Sequence, residues 1–207
     1  MNWDIIDPAI RVVHPPNLGW LEKTLSVKEV GFLWNCIQQR QSSVREFLAG
    51  NITESNDLID EGSWFFQETL FPLVRKYETS FKDLSLMTGI TGEYYLSNFW
   101  VNFQHQHEFN PTHNHTGIYS FVVWLQIPTT HREQNEDNVS NAELKSTFQF
   151  QYLDILGKIR THTYYQNPHQ EGTLLFFPSE MYHAVYPFYN CDETRVSISG
   201  NITLKPH

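Results

Sequence analysis

The sequence predicts a mainly β (α+β) chain: a jelly-roll barrel over its second half, with N-terminal helices packed on one outer face. Three observations carry this expectation. From about Leu86 onward, seven short β-rich runs follow one another, separated by turn residues and with no helical periodicity between them. The first of these runs alternates: Phe99, Val101, Phe103, His105 and His107 fall on one face, and Trp100, Asn102, Gln104 and Gln106 on the other. Upstream of Leu86 the apolar residues recur instead at helical spacing.

Taken in order, residues 1–25 form an extended lead-in punctuated by Pro15, Pro16 and Gly19. Ser26 followed by Glu29 is a capping-box pattern. Behind it Val30, Leu33, Trp34, Ile37, Val44, Phe47 and Leu48 predict a helix ending near Gly50. A second helix is expected from about Ser63 to Phe81, its apolar face made by Phe65, Phe66, Leu70, Leu73, Val74 and Tyr77, with Pro72 kinking or splitting it. The strands follow at Tyr94–Gln106, Ile118–Ile127, Thr147–Leu153, Ile159–Tyr165, Thr173–Phe177, His183–Phe188 and Thr194–Leu204. The polar stretch Thr129–Ser146 is a long connection, either a lid or a disordered excursion. The whole, 1–207, is expected to be one domain, with a helical support region over 1–85 and the β core over 86–207.

Composition narrows the function. The net charge is −9 and no Lys/Arg cluster forms a basic stripe, so nucleic-acid binding is disfavoured. No run approaches the roughly 18–20 apolar residues of a membrane span, and the acidic residues near the start do not fit a secretory signal. Two cysteines far apart, Cys36 and Cys191, suit a reducing, cytoplasmic setting, where the Asn-x-Ser/Thr triplets at Asn51, Asn138 and Asn201 carry no meaning.

Histidines carry the chemistry. Four of the ten fall within HQHEFNPTHNH, residues 105–115. If this segment runs straight into the strand at Ile118, His113 and His115 project to one side, with Cα atoms about 6.5–7 Å apart, and two imidazoles converge on one cation. Imidazole suits Fe, Zn, Cu and Ni alike, so the pair names no metal. His183, at the opening of a strand after GTLLFFPSEMY, supplies a third nitrogen, although ordinary hydrogen bonds also satisfy a histidine there. Twelve residues on, Arg195 and Ser197 alternate with Val196 and Ile198. An inward guanidinium demands a buried anion and matches a carboxylate bidentately, with the serine adding a hydroxyl. On an outward face Arg195 is merely solvated, and the local sequence leaves the facing open.

Together these residues resemble the 2-oxoglutarate- and Fe(II)-dependent oxygenases. The closer likeness is to an uncharacterised branch of prolyl-hydroxylase-like character common in marine phages and bacteria. The resemblance runs from about Phe99 to Thr203, half the chain, and rests on FWVNFQ, EFNPTHNHTGIYSFVVWLQIP, EGTLLFFPSEMYHAVYP and TRVSISGNI. It implies a double-stranded β-helix (jelly roll) with Fe(II) at one open end. His113 and His183 stand where the family has its proximal and distal histidines. Arg195 would bind the distal carboxylate of 2-oxoglutarate with Ser197 assisting, and Asn102, Tyr119 and Ser120 are the remaining cosubstrate contacts. O2 is the co-reactant, succinate and CO2 are the co-products, and ascorbate serves as a reductant. The substrate would be a small molecule or a peptide side chain, met in the cytoplasm (the host's, if the chain is phage-encoded).

One departure from the family pattern matters: the usual His-x-Asp or His-x-Glu is here His-x-His. Three readings follow: a three-histidine site, a two-histidine site completed by water, or a carboxylate from elsewhere such as Glu108. The set His113, His115 and His183 is favoured. Rivals are a cupin-like three-histidine metal enzyme that does not use 2-oxoglutarate, and a jelly-roll virion or carbohydrate-binding module with incidental histidines.

Overall fold

The computed structural model describes residues 17–81, 89 and 92–206. Residues 1–16 of the lead-in expected over 1–25, and the junction expected at 85–86, lie outside the described residues. Two antiparallel sheets face each other. The larger has the order β1-β8-β5-β10-β3-β2 and the smaller β4-β9-β6-β7. Their strands are β1 Leu21–Thr24, β2 Glu54–Asp57, β3 Gly92–Gln104, β4 Asn110–His113, β5 Tyr119–Gln126, β6 Thr147–Leu153, β7 Ile159–Tyr165, β8 Thr173–Pro178, β9 Tyr182–Val185 and β10 Arg195–Pro206. This is a mainly β double-stranded β-helix: the strand pattern predicts the jelly roll, and the family resemblance implies the β-helix.

Helix α1, Val27–Gln38, starts at the expected cap: Ser26 and Glu29 form a reciprocal capping box. Glu29 does more than cap. Its carboxylate also accepts from Thr69 Oγ1 at 2.7 Å and pairs with Lys23 Nζ at 3.0 Å, tying the helix start to the segment that leads into α2, Phe71–Ser80. Pro72 lacks the N–H that would bond back one turn, and the residues just before it, Phe66–Leu70, widen into a π turn.

The first helix ends twelve residues short of the expected Gly50. Residues 39–43, Gln-Arg-Gln-Ser-Ser, interrupt the apolar period, and the backbone pairs with edge strand β2 instead. Gln41 N donates to Asp57 O, Asp57 N to Ser42 O and Val44 N to Ser55 O. Phe47, counted in the helical pattern, sits on the short 3-10 turn Arg45–Phe47 and is 79% exposed.

Both helices lie on the outer face of the large sheet. Leu33, Ile37, Phe65, Leu70, Val74 and Tyr77 pack there against Phe99, Val101, Tyr119, Phe121, Val123, Phe176 and Ile198. A smaller apolar cluster, Val122, Trp124, Phe148, Phe150, Leu175 and Phe177, lies on the other face, between the sheets. The polar connection 129–146 contains a short helix, α3, His131–Asn135, capped by Thr130 and Glu133. Asn135 Nδ2 donates to Lys145 O at 3.0 Å and closes the excursion on itself. Among the described residues no helix is long and apolar enough to cross a membrane.

Candidate metal centre

The three histidines meet where the chain passes between the sheets. His113 ends β4, and its cross-strand partner on β9 is His183, so both rings project to the same side. Residues 114–118 then cross from the small sheet to β5 in the large one. His115 N donates to Ser179 O at 2.8 Å, and Gly117, at φ 120°, makes the bend a side chain would resist. One ligand atom from each of His113, His115 and His183 lies within 4.8 Å of the others. Nε2 of His115 and Nε2 of His183 are 3.2 Å apart. Two nitrogens bound about 2.1 Å from a metal at right angles are separated by about 3 Å, so this edge suits a single ion.

Backbone carbonyls orient two of the rings. His113 Nδ1 lies 2.7 Å from Pro111 O, and His183 Nδ1 lies 2.9 Å from Met181 O. Each Nδ1 therefore donates, which leaves the Nε2 lone pair facing inward, the arrangement that a second-shell carbonyl gives a metal-binding imidazole. Burial pulls the pKa of all three below the ordinary histidine value. His115 falls to about 4, helped by His113, and His183 to about 3, helped by both neighbours. The rings are thus neutral near pH 7, the state that ligates metal. Glu108 is engaged elsewhere: its carboxylate accepts from Thr53 N and His105 N, both at 2.9 Å.

Behind the triad a cavity runs between the sheets, and Arg195 lines it together with Asn102, Gln104, Ser197 and Ser199. Val196 and Ile198 belong to the helix-side core, so the alternation on β10 turns the arginine inward. Arg195 is 1% exposed. Its Nη2 donates to Ser146 Oγ at 2.6 Å, and Nη1 to Gln104 Oε1 at 3.3 Å and to Tyr186 O at 3.4 Å, while Phe188 stacks 4.9 Å below. These partners are all neutral. Among the described residues no carboxylate lies within ion-pair distance of it, and Nε has no hydrogen-bond partner. Burial drives its pKa down to about 9. A desolvated cation without a counter-ion is costly to the folded chain, and an anion entering the cavity relieves that cost.

Not every residue named from the sequence arrives here. Asn102 and Ser197 line the cavity, directly opposite one another on β3 and β10. Tyr119 does not. It points to the helix side, where its ring packs on Tyr77 at 5.1 Å and Phe176 at 5.0 Å. Ser120 faces the interior but is absent from the cavity wall, its hydroxyl held between Ser179 Oγ and Asn201 Oδ1. His105 and His107 are exposed beyond the end of β3. Gln104, Ser146 and the wall made by residues 45–55 also line or close this cavity without having been singled out from the sequence, and of these only Gln104 was legible, by its parity with Asn102.

Comparison with known proteins identifies the family and the fold. Residues 98–201 match the family described as "Putative 2OG-Fe(II) oxygenase". No curated protein sequence matches the chain significantly. Among solved structures, a Pseudomonas putida prolyl-4-hydroxylase is similar at 14% identity and TM-score 0.54, covering 91% of this chain and 94% of the other. A viral collagen prolyl hydroxylase from Paramecium bursaria Chlorella virus-1, solved with 2-oxoglutarate, gives 12% identity and TM-score 0.52 over 88% and 94%. HygX from Streptomyces hygroscopicus, solved with nickel, 2-oxoglutarate and hygromycin B, gives 8% and 0.51 over 91% and 84%. At these identities the structural likeness is one of fold. The match spanning half the sequence establishes more: this chain belongs to the 2-oxoglutarate- and Fe(II)-dependent oxygenases. It is an enzyme that uses Fe(II), 2-oxoglutarate and O2.

Proposed function

We propose that His113, His115 and His183 together hold the Fe(II), and that Arg195 binds the far carboxylate of 2-oxoglutarate. Ser197 and Asn102, side by side on neighbouring strands of the cavity wall, add a hydroxyl and an amide beside it. One observation carries this reading: a guanidinium 1% exposed, with no carboxylate partner among the described residues, in the cavity that the three imidazoles also line. Iron, once bound, supplies the oxygen activation that couples cosubstrate decarboxylation to oxidation of a substrate. The protein's own part is to fix three neutral nitrogens, anchor the cosubstrate by a charge-assisted fork, and keep water from the cavity with Trp124, Phe148 and Phe177. The substrate is a small molecule or a peptide side chain. We place the enzyme in the cytoplasm, where the unpaired Cys36 and Cys191 stay reduced.

The test is a thermal melt with Mn(II) in place of iron, with and without 2-oxoglutarate, followed by succinate measurement with Fe(II), ascorbate and O2. At about a hundredfold excess over Kd, each ligand raises Tm by roughly 5–10 °C. Stabilisation by Mn(II) with no further shift from 2-oxoglutarate would leave a three-histidine metal protein and remove the assigned role of Arg195. The binding measurement decides, because turnover without the true substrate is slow.

A further inference from the structure

The triad has a second side. Next to the Arg195 cavity, and sharing Trp100 with it, His113 and His115 also border an open cleft whose further lining includes Val44, Phe47, Asp57, Asn98 and Asn201. Asp57 and Trp100 are direct cross-strand partners on β2 and β3, so their side chains rise from the same face of the sheet, with Cβ atoms about 5 Å apart. That this is the inward face follows from the next same-face pair along, Ser55 and Asn102, which hydrogen-bond to each other at 2.8 Å and line the cavity. The Trp100 ring lies 5.8 Å from the His115 ring. Among the described residues the Asp57 carboxylate forms no ion pair, and burial raises its pKa above the usual carboxylate value. Phe47, at the rim, is 79% exposed.

A half-buried carboxylate beside an indole is the pairing that recognises an alkylammonium: the carboxylate takes the charge, and the ring face takes the cation and its methylenes. We infer that this cleft is a subsite for a cationic substrate, an alkylamine or a lysine-like side chain, whose ammonium sits between Asp57 and Trp100 with its carbon chain beside the triad. Asp57 is thus a specificity-determining residue, and the class of substrate is aminoalkyl. Arg45, the nearby cation, borders the Arg195 cavity instead and bonds Thr53 O at 3.5 Å. The inference rests on the oxygenase reading for the role of the cleft, but its binding claim can be measured without it.

The probes are Nα-acetyl-lysine N-methylamide, its neutral counterpart Nα-acetyl-norleucine N-methylamide, and Nα-acetyl-proline N-methylamide. Each is titrated into Mn(II)-loaded protein, with and without 2-oxoglutarate, following the Trp100 indole N–H resonance by NMR. The lysine probe should bind about tenfold or more tighter than the norleucine probe, the strength of one charge-assisted contact. Asp57→Asn should erase that preference and Asp57→Glu keep part of it, both with unchanged melting temperature and 2-oxoglutarate affinity. Equal binding of the two side chains, tighter binding of the proline probe, or a preference that survives in Asp57→Asn would overturn the inference. Should 2-oxoglutarate fail to bind the wild type while an Asp57-dependent preference persists, the subsite stands and the cosubstrate assignment falls.

Discussion

The two faces of β3, β5 and β10 are built from alternate residues of the same strands and behave as different materials. On the helix side sit Phe99, Val101, Phe121, Val123, Val196 and Ile198, an apolar layer closed by Phe65, Val74 and Tyr77. On the inner side the alternate positions of β3 and β10 hold Trp100, Asn102, Gln104, Arg195, Ser197 and Ser199. The first face lowers the free energy of the folded chain by removing hydrocarbon from water. The second works against it by burying a cation and several polar groups, and it persists because the first face holds the strands in register. Stability and chemistry are thus separated by residue parity, and substitutions on the two faces should have separable effects.

The sharpest contrast sets His183→Ala against Phe65→Ala. His183→Ala removes the most buried nitrogen of the triad, 4% exposed, and should abolish the Mn(II)-induced melting shift and lower succinate formation by at least about a thousandfold. The ligand-free fold should remain intact by circular dichroism. Phe65 is fully buried and in ring contact with Phe32, Phe99 and Phe121; it meets the cavity only through Phe121 and has no ring contact with the histidines. Phe65→Ala should cost about 3–5 kcal/mol in urea unfolding. Its Mn(II) and 2-oxoglutarate affinities, measured where the variant is folded, should stay within about twofold of wild type. Loss of metal binding in Phe65→Ala would show that the faces are coupled.

How much of this was legible in the sequence follows from the same division. The strands over 147–153 and 159–165 coincide with their sequence limits, because turn residues flank them on both sides. The helix-side parity of β10 was visible in Val196 and Ile198, but which face met the helices was not, since an Arg-Val-Ser-Ile pattern is amphipathic either way round. Tyr119 and Ser120 were misplaced for a different reason. From Tyr119 through Leu125, β5 is buried at every position, so hydropathy carries no parity there. The cleft wall at 44–49 was missed because the chain leading into it, residues 41–44, is tied to β2 by backbone groups of a polar stretch. Register across distant strands, which sets His113 opposite His183 and Asp57 opposite Trp100, is a property of the assembled sheets.

Arg195→Met tests whether the inner face costs stability for the sake of binding. The substitution removes a desolvated charge together with its bonds to Gln104, Tyr186 O and Ser146, effects of opposite sign. The ligand-free melting temperature should therefore move by only a few degrees. The affinity for 2-oxoglutarate should fall by about a hundredfold, in line with about 2–5 kcal/mol for truncating one side of a buried charge pair. Mn(II) binding should persist, because the triad does not touch Arg195. Parallel loss of metal and cosubstrate binding would argue that the arginine holds the cavity open instead of holding an anion.

The smallest effect expected is on the helix side, where one charge is buried with partners. Desolvation alone would raise the pKa of Glu29. The Ser26 backbone N–H and hydroxyl, the Thr69 hydroxyl and Lys23 outweigh it and hold the carboxyl at about 2, below its usual 4.5. A carboxylate whose folded pKa is depressed binds fewer protons folded than unfolded, so its stabilisation is complete above the unfolded pKa. It drains away as pH falls from about 4.5 toward 2. Because Lys23 is 32% exposed, water screens part of the interaction, and about 1–2 kcal/mol is the expected size. Glu29→Gln should lower urea stability by that amount at pH 7 and converge on wild type near pH 2–3. The acid limb of the stability curve should flatten, while Mn(II) affinity at pH 7 stays unchanged. A variant whose deficit is the same at pH 7 and pH 3 would mean that the cap acts through shape and hydrogen bonding alone, with no contribution from the charge.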